Sequence, residues 1–484
     1  MKRAALLAAT LTCAALAACT PGPRFATPAP PAAPGYTPAP PDLTAPGVAP
    51  QTIAPTAAIP ADWWRAFTSP KLDALVTEAL ANSPTLTQAE ATLRQANEIY
   101  RQQHAALFPS LALTPSYQRG QESIELQPPV SNNAVQYTVV TAGAQITFNP
   151  DVFGGLRLAA RGARAQAQAA QGQLAAARLT LIGNVVTQAI TLAGLDAQLA
   201  EQRRIVAAQT ATVALGRLQV REGQIAPSDL AALQAQLAQS QTAVPPLNRN
   251  RAAARDQLAV LLGRTPDRPP TDVPGLNELT LPATLPVVVP ARLVETRPDI
   301  RIAEANLRAA YAQLGIATAA RLPVFNLVAD GGTASQSFTR LLRSDNIFWT
   351  LIAGVTAPLL DAGTLLHGER AARAGLEASR AQYRATVLTG LGNVADSLEA
   401  LSTDARALAA AQAARAAADR SLAAARLQRA KGQTSALPLL VAQASEATAA
   451  ATEVQARAAR LSDSAALFTA MGGGAVPSSQ PTRP

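Results

Sequence analysis

The chain has 484 residues, of which 4% are aromatic, and alanine makes up much of its apolar content; this suits long, closely packed helices better than a β-sandwich or an α/β enzyme. The formal charge is +9, yet the arginines are scattered along Ala-rich stretches and no dense basic run is interleaved with aromatics, which argues against nucleic-acid binding. The histidines, His104 and His367, lie far apart and outside any metal-ligand spacing, and no nucleotide-binding loop or recognisable frame of paired carboxylates points to an enzyme, so neither a metal nor a catalytic residue is expected.

At the N-terminus, Lys2-Arg3 and an apolar stretch from Ala4 to Ala18, too short to span a bilayer, predict a secretory signal peptide over 1–18. Its end, Leu16-Ala17-Ala18-Cys19, resembles the lipobox of bacterial lipoproteins. That resemblance implies cleavage before Cys19 and its acylation, with N-palmitoyl and S-diacylglycerol groups as a lipid anchor and no other cofactor. The alternative is an ordinary signal peptide with an incidental cysteine. Cys13 leaves with the signal, so no thiol remains for a disulfide or a metal site. Residues 19–60 are Pro/Ala-rich and read as an extended tether, and the Gly/Pro/Ser-rich tail over 474–484 reads as unstructured.

The first repeat spans 61–268. A helix starts at Ser69-Pro70, with a serine to cap and a proline for the first turn, and runs past Tyr100. After Pro109 the period changes to alternation: Leu111, Leu113 and Tyr117 share one face, Ser110, Thr114, Ser116 and Gln118 the other. A second strand is expected from Val135 to Phe148, with a bulge near Val139-Val140 where the phase shifts. A long helix from about Gly155 to Arg221 follows, roughly 100 Å at ~1.5 Å per residue. Arg221-Glu222-Gly223-Gln224 ends it with a glycine suited to a left-handed cap. In the return helix Pro245-Pro246 predicts a kink or break.

An inter-repeat segment over 269–290 precedes a second repeat over 291–473 with the same order of elements. Phe325-Leu327-Ala329 and Ile347-Trp349-Leu351-Ala353-Val355 alternate as strands, and the polar stretches Arg119 to Asn133 and Ser335 to Asp345 read as loops. Pro84 and Pro109 return 214 positions on as Pro298 and Pro323, while Gly223 and Gly263 return 209 positions on as Gly432 and Gly472. So long a period is one duplicated supersecondary unit, not a solenoid.

Four strands with an apolar face cannot close a membrane barrel, because every edge in lipid must be paired and the smallest barrels have about eight strands. Pooling strands among three copies gives twelve. Val185, Leu192, Leu199, Val206, Val213 and Val220 keep a seven-residue step, matched by Val394, Leu401, Leu408 and Leu422, which predicts helices supercoiled against partners. The fold class is therefore mixed, mainly α with a membrane β-barrel: a trimeric, twelve-stranded barrel plus a long α-helical coiled-coil barrel.

The order of elements, the duplication and several motifs resemble the TolC-like outer-membrane factors, in the lipoprotein (NodT/OprM-like) branch that serves tripartite efflux. The motifs are Asp62-Trp63-Trp64, Leu107-Phe108-Pro109-Ser110-Leu111, Asp151-Val152-Phe153-Gly154-Gly155, Asp361-Ala362-Gly363, Thr296-Arg297-Pro298-Asp299-Ile300 and Ala470-Met471-Gly472-Gly473-Gly474. The resemblance implies a homotrimeric, passive, gated channel in outer-membrane lipid, working with a periplasmic adaptor (membrane fusion) protein and an inner-membrane efflux transporter of the RND type. It implies that Arg221, Glu222, Gly223 and Gln224, with Arg429, Lys431, Gly432 and Gln433, are adaptor-docking tips, though the glycines serve the turns in either case. Family gates pair an apolar ring residue with an aspartate four positions on; here these are Leu437 and Val441, so the acid is absent. Asp229 either supplies pore charge or stabilises its helix dipole. The alternatives are a type I protein-secretion conduit and, in a different class, a periplasmic coiled-coil scaffold lipoprotein with no sheet.

Overall fold

The computed structural model describes residues 25–29, 35–39, 41–56, 59–121, 136–434 and 436–474. The expected signal peptide, Cys19 and the tail beyond Gly474 lie outside them. In chain order the elements are β1 (Thr52–Thr56), α1 (Pro70–Asn82), α2 (Pro84–Ala105), β2 (Ser110–Leu113), β3 (Ser116–Gln121), β4 (Gln136–Phe148) and α3 (Gly155–Arg221). There follow α4 (Pro227–Thr242), α5 (Val244–Leu261), β5 (Thr284–Val288), α6 (Pro290–Thr296), α7 (Pro298–Ala319), β6 (Val324–Ser335), β7 (Ile347–Thr356), α8 (Thr364–Ala430) and α9 (Ala436–Ala470). The predicted duplication is present, and the two long helices, α3 and α8, are each 67 residues. The chain divides into two compact units: 1–28, 92–171 and 302–383 form one, and 29–91, 172–301 and 384–484 the other.

The first unit holds an antiparallel sheet in the order β2-β4-β6-β7, with β3 also on β4. The expected first strand is two, because Pro115 has no N–H to give to the ladder. Its register nonetheless continues across the gap: Leu113 pairs with Ala144 and Ser116 with Thr141, and the Thr114 N–H still donates to Gly143 O at 2.8 Å. The bulge expected near Val139-Val140 is absent, since pairing with β3 runs without a gap from Gln136 to Thr141. The phase shift arises because Tyr137 and Val139 stand on the face otherwise held by Thr141, Gln145 and Thr147. The polar stretch after β6 contains two short 3-10 turns, Phe338–Arg340 and Ser344–Asn346. One sheet face is apolar and uncovered in the single chain, carrying Leu111, Leu113, Tyr117, Ile347, Leu351 and Trp349, the last 79% exposed.

In the second unit the helix expected to run from Ser69 past Tyr100 breaks at Ser83 (φ −67°, ψ 120°), because Pro84 drives the preceding residue out of the helical region. The start is as expected: the Ser69 hydroxyl accepts from the Leu72 N–H, and Pro70 opens the first turn. The return path after α3 breaks at Ala243, which places Pro245 and Pro246 in the first turn of α5, where a missing N–H costs nothing. The core packs Trp63, Phe67, Val185, Ile190, Leu258, Val394, Leu401 and Phe468 into one cluster, with the Trp63 and Phe468 rings stacked 5.2 Å apart. Every named heptad residue is buried except Val206 and Val220, which are half-buried. β1 pairs in parallel with β5, a strand that the Pro/Ala-rich composition of its segment does not suggest.

Candidate functional site: the helix tips and the positions beyond them

Both long helices end alike. At the first tip Gly223 takes φ +67°, the Gln224 N–H donates to Gln219 O at 2.8 Å and the Gly223 N–H to Val220 O at 3.1 Å. At the second, Gly432 takes φ +69°, with the Gln433 N–H on Gln428 O at 2.9 Å and the Gly432 N–H on Arg429 O at 3.0 Å. These are paired 6→1 and 5→2 closures that satisfy the last carbonyls and turn the chain sharply. The Arg429 guanidinium donates to Gln219 Oε1 at 3.2 Å, so one tip holds the other. Arg221, Glu222, Gly223, Gln224, Lys431, Gly432 and Gln433 are all exposed, and Arg221, Glu222 and Lys431 form no ion pair among the described residues. The tips therefore present mixed charge on rigid turns.

Beyond the second tip, Leu437 is 66% exposed and Val441, four residues on, 58% exposed, while Leu439 and Leu440 between them are buried. Two uncovered aliphatic side chains thus share one stripe of α9, with no carboxylate at the second position. Asp229 lies half-buried in the first turn of α4, its carboxylate without hydrogen bond or ion pair among the described residues. No bond joins it to Leu437.

The polar core between the tip-proximal helices was not legible in the sequence. Glu446 of α9, its side chain 4% exposed, accepts from Arg204 of α3 and from Arg415 of α8 at 3.1 Å; Glu201 pairs with Arg204 at 2.9 Å and Asp419 with Arg415 at 3.1 Å. A turn away, the buried Gln209 side chain has no hydrogen-bond partner among the described residues. Each helix alone shows only an ordinary charge; its partner is set by which helices lie side by side.

A second polar cluster fastens the N-terminal segment. Arg460 of α9, 1% exposed, donates from Nε to Gln51 Oε1 at 3.1 Å and from Nη2 to the carbonyls of Leu43 and Ala49 at 3.3 and 3.1 Å. Burial pushes Asp404 of α8 up to about 7; neighbouring Asp463 adds to the shift and Arg460 opposes it. Among the described residues no group of three or more metal-capable side chains occurs.

A family model described as outer membrane efflux protein matches residues 75–264 and 289–473. The chain belongs to that family. It is 30% identical to the pyoverdine export outer membrane protein OpmQ of Pseudomonas putida, over 70% of this chain and 72% of that one. It is 28% identical to the toluene efflux pump outer membrane protein TtgI of Pseudomonas putida, over 71% of this chain and 73% of that one. Among solved structures, the outer-membrane channel OprN superposes with a TM-score of 0.85 at 25% identity, covering 94% of this chain and all of that one. VceC of Vibrio cholerae superposes with a TM-score of 0.79 at 25% identity, over 86% and 99% of the two chains. This chain is accordingly an outer-membrane efflux channel protein with the TolC-like fold. Its relatives are channel and efflux proteins, not enzymes. The sheet removes the coiled-coil scaffold alternative, which predicts that there is none.

Proposed function

We propose that three copies of this chain form a passive, gated conduit for small compounds. Their strands close a twelve-stranded barrel in the outer membrane, and their long helices form its periplasmic part. The observation that carries this reading is the sheet itself: an apolar face left bare and two outer edges left unpaired in the single chain, a state lipid does not tolerate. The tips, Arg221 to Gln224 and Arg429 to Gln433, dock onto a periplasmic adaptor, and an inner-membrane transporter of the RND type supplies the energy. Cys19 carries the acyl groups that hold the N-terminus at the membrane. Export of small molecules is favoured over protein secretion because the relatives OpmQ and TtgI are a pyoverdine export protein and a toluene efflux pump protein.

The test joins native mass spectrometry of the detergent-extracted protein to single-channel recording. The expected result is a trimer whose protomers each carry the added mass of a diacylglyceryl and an acyl group, which conducts, and conducts more after Leu437→Ala. A monomer or dimer that does not conduct overturns the reading. An unmodified Cys19 overturns the lipid anchor alone.

A further inference from the structure

The described strands of the sheet contain a single acid. Asp330 stands in the middle of β6, and β2, β3, β4 and β7 have no Asp or Glu. Alternation puts it on the polar face with Asn326, level with Gln145 on β4 and Thr350 on β7. The Gln145 Nε2 donates to Asp330 Oδ1 at 2.8 Å, which fixes the carboxylate against its own sheet. The opposite face at this height carries Ile146, Trp349 and Leu351, all exposed and all suited to lipid.

Among the described strands no basic residue shares the face of Asp330. The one cation of the described strands, Arg119 of β3, has the parity of Leu113 and Tyr117 and so stands on the apolar face. Arg340 and Arg343 lie beyond the end of β6, the one ending the first short turn and the other directly preceding the second. The surface beside Asp330 is cut back to backbone: Gly143 pairs with Gly332, where an added Cβ would come within 2.4 Å of Ala142 O. The ring of Phe348 reaches over this gap, 3.7 Å from where a Cβ on Gly143 would lie. A fixed carboxylate and an aromatic ring thus share a bare stretch of the polar face. At the tip position where relatives of the resembled family place an acid, this chain has Val441.

We propose that Asp330 sets the charge preference of the conduit: in the trimer proposed above, on which this inference rests, three Asp330 carboxylates line the strand-built lumen and favour cationic over anionic cargo. A twelve-stranded barrel is too wide for three carboxylates to touch every passing solute, so they act through their field. That field extends about 30 Å at 0.01 M salt and about 8 Å at physiological ionic strength. The preference is therefore steep in dilute salt and shallow in concentrated salt.

Reversal potentials across a potassium chloride gradient, at about 0.01 M and again near 1 M mean salt, read this out directly. The wild-type protein is expected to prefer potassium in dilute salt. Asp330→Asn should lower the cation-to-anion permeability ratio by about twofold or more there, and change it little in concentrated salt, where screening is nearly complete. Asp330→Glu should keep the wild-type ratio. Should Asp330→Asn fail to assemble, Thr350→Lys sets a cation beside the carboxylate and should lower the ratio in the same way. A conducting Asp330→Asn trimer with an unchanged ratio in dilute salt overturns the role of Asp330 and leaves the channel reading intact. A wild-type protein that neither trimerises nor conducts overturns the channel reading and this inference with it.

Discussion

Gly223 and Gly432 hold left-handed backbone in open space, with no heavy atom within 4 Å of where a Cβ would stand. Alanine at either tip therefore meets only the backbone penalty, about 1 kcal/mol. Gly263 is different. It too has positive φ, but a Cβ there would lie 2.5 Å from the carbonyl oxygen of Asn82, so Gly263→Ala adds a collision with main chain to the same strain. Thermal unfolding should rank Gly263→Ala well below Gly223→Ala and Gly432→Ala, which should nearly match each other; equal midpoints for all three would contradict this account. Asp404 makes stability depend on pH. Its pKa of about 7 in the fold, against about 4 in the unfolded chain, means that the folded state keeps a proton the unfolded state has released. Stability from this site is thus present below about pH 4 and lost as pH rises through about 7. Asp404→Asn stays neutral throughout, so its unfolding midpoint should gain on wild type between about pH 5 and pH 8. Parallel profiles would show that the site does not titrate there.

Among the elements, the junction at the start of α7 ties three helices through one side chain. Arg297 is buried, gripped by Asp299 through Nε–Oδ1 at 3.0 Å and Nη2–Oδ2 at 2.7 Å, and its Nη1 donates to Gly390 O in α8 and Ala470 O at the end of α9. Charge-assisted bonds of this kind contribute about 1.5–3 kcal/mol each at most, and they share one guanidinium. Arg297→Ala should therefore cost about 3 kcal/mol in thermal or denaturant unfolding. Arg297→Lys should recover little, because a single ammonium cannot reach both carboxylate oxygens and two separate carbonyls. Features set by local chain chemistry were legible in the sequence: the ends of α3, the Ser69 cap, the tip glycines and the break forced by Pro245-Pro246. Those that depend on lateral neighbours were not. The ion group around Glu446 and the strand Thr52–Thr56 exist only because distant segments meet. The breaks at Ser83 and Pro115 lie between these cases, since each proline was in view but its effect was subordinated to the longer periodic pattern. At the candidate site, the turns were readable to the residue, while the roles of Leu437 and Asp229 depend on copies of the chain that one sequence does not contain.

For the whole molecule, the outcome of duplication is a pair of long helices of identical length, each closed by the same turn and joined where Arg429 meets Gln219. One residue added to either helix advances its end by ~1.5 Å and rotates it by about 100°. Removing seven residues from α3 alone nearly preserves its facing but withdraws its turn by ~10 Å, beyond the reach of any side chain across the pair. Such a deletion should abolish conductance and lower the unfolding midpoint, whereas the same deletion made in both helices should restore a conducting, shorter assembly. Failure of the paired deletion to recover what the single one loses would show that length is set by something other than the partner helix. If it does recover, the two halves cannot drift independently: an insertion in one is a defect until the other acquires its counterpart, so the chain's descendants change length in matched steps, as two legs of one ladder must.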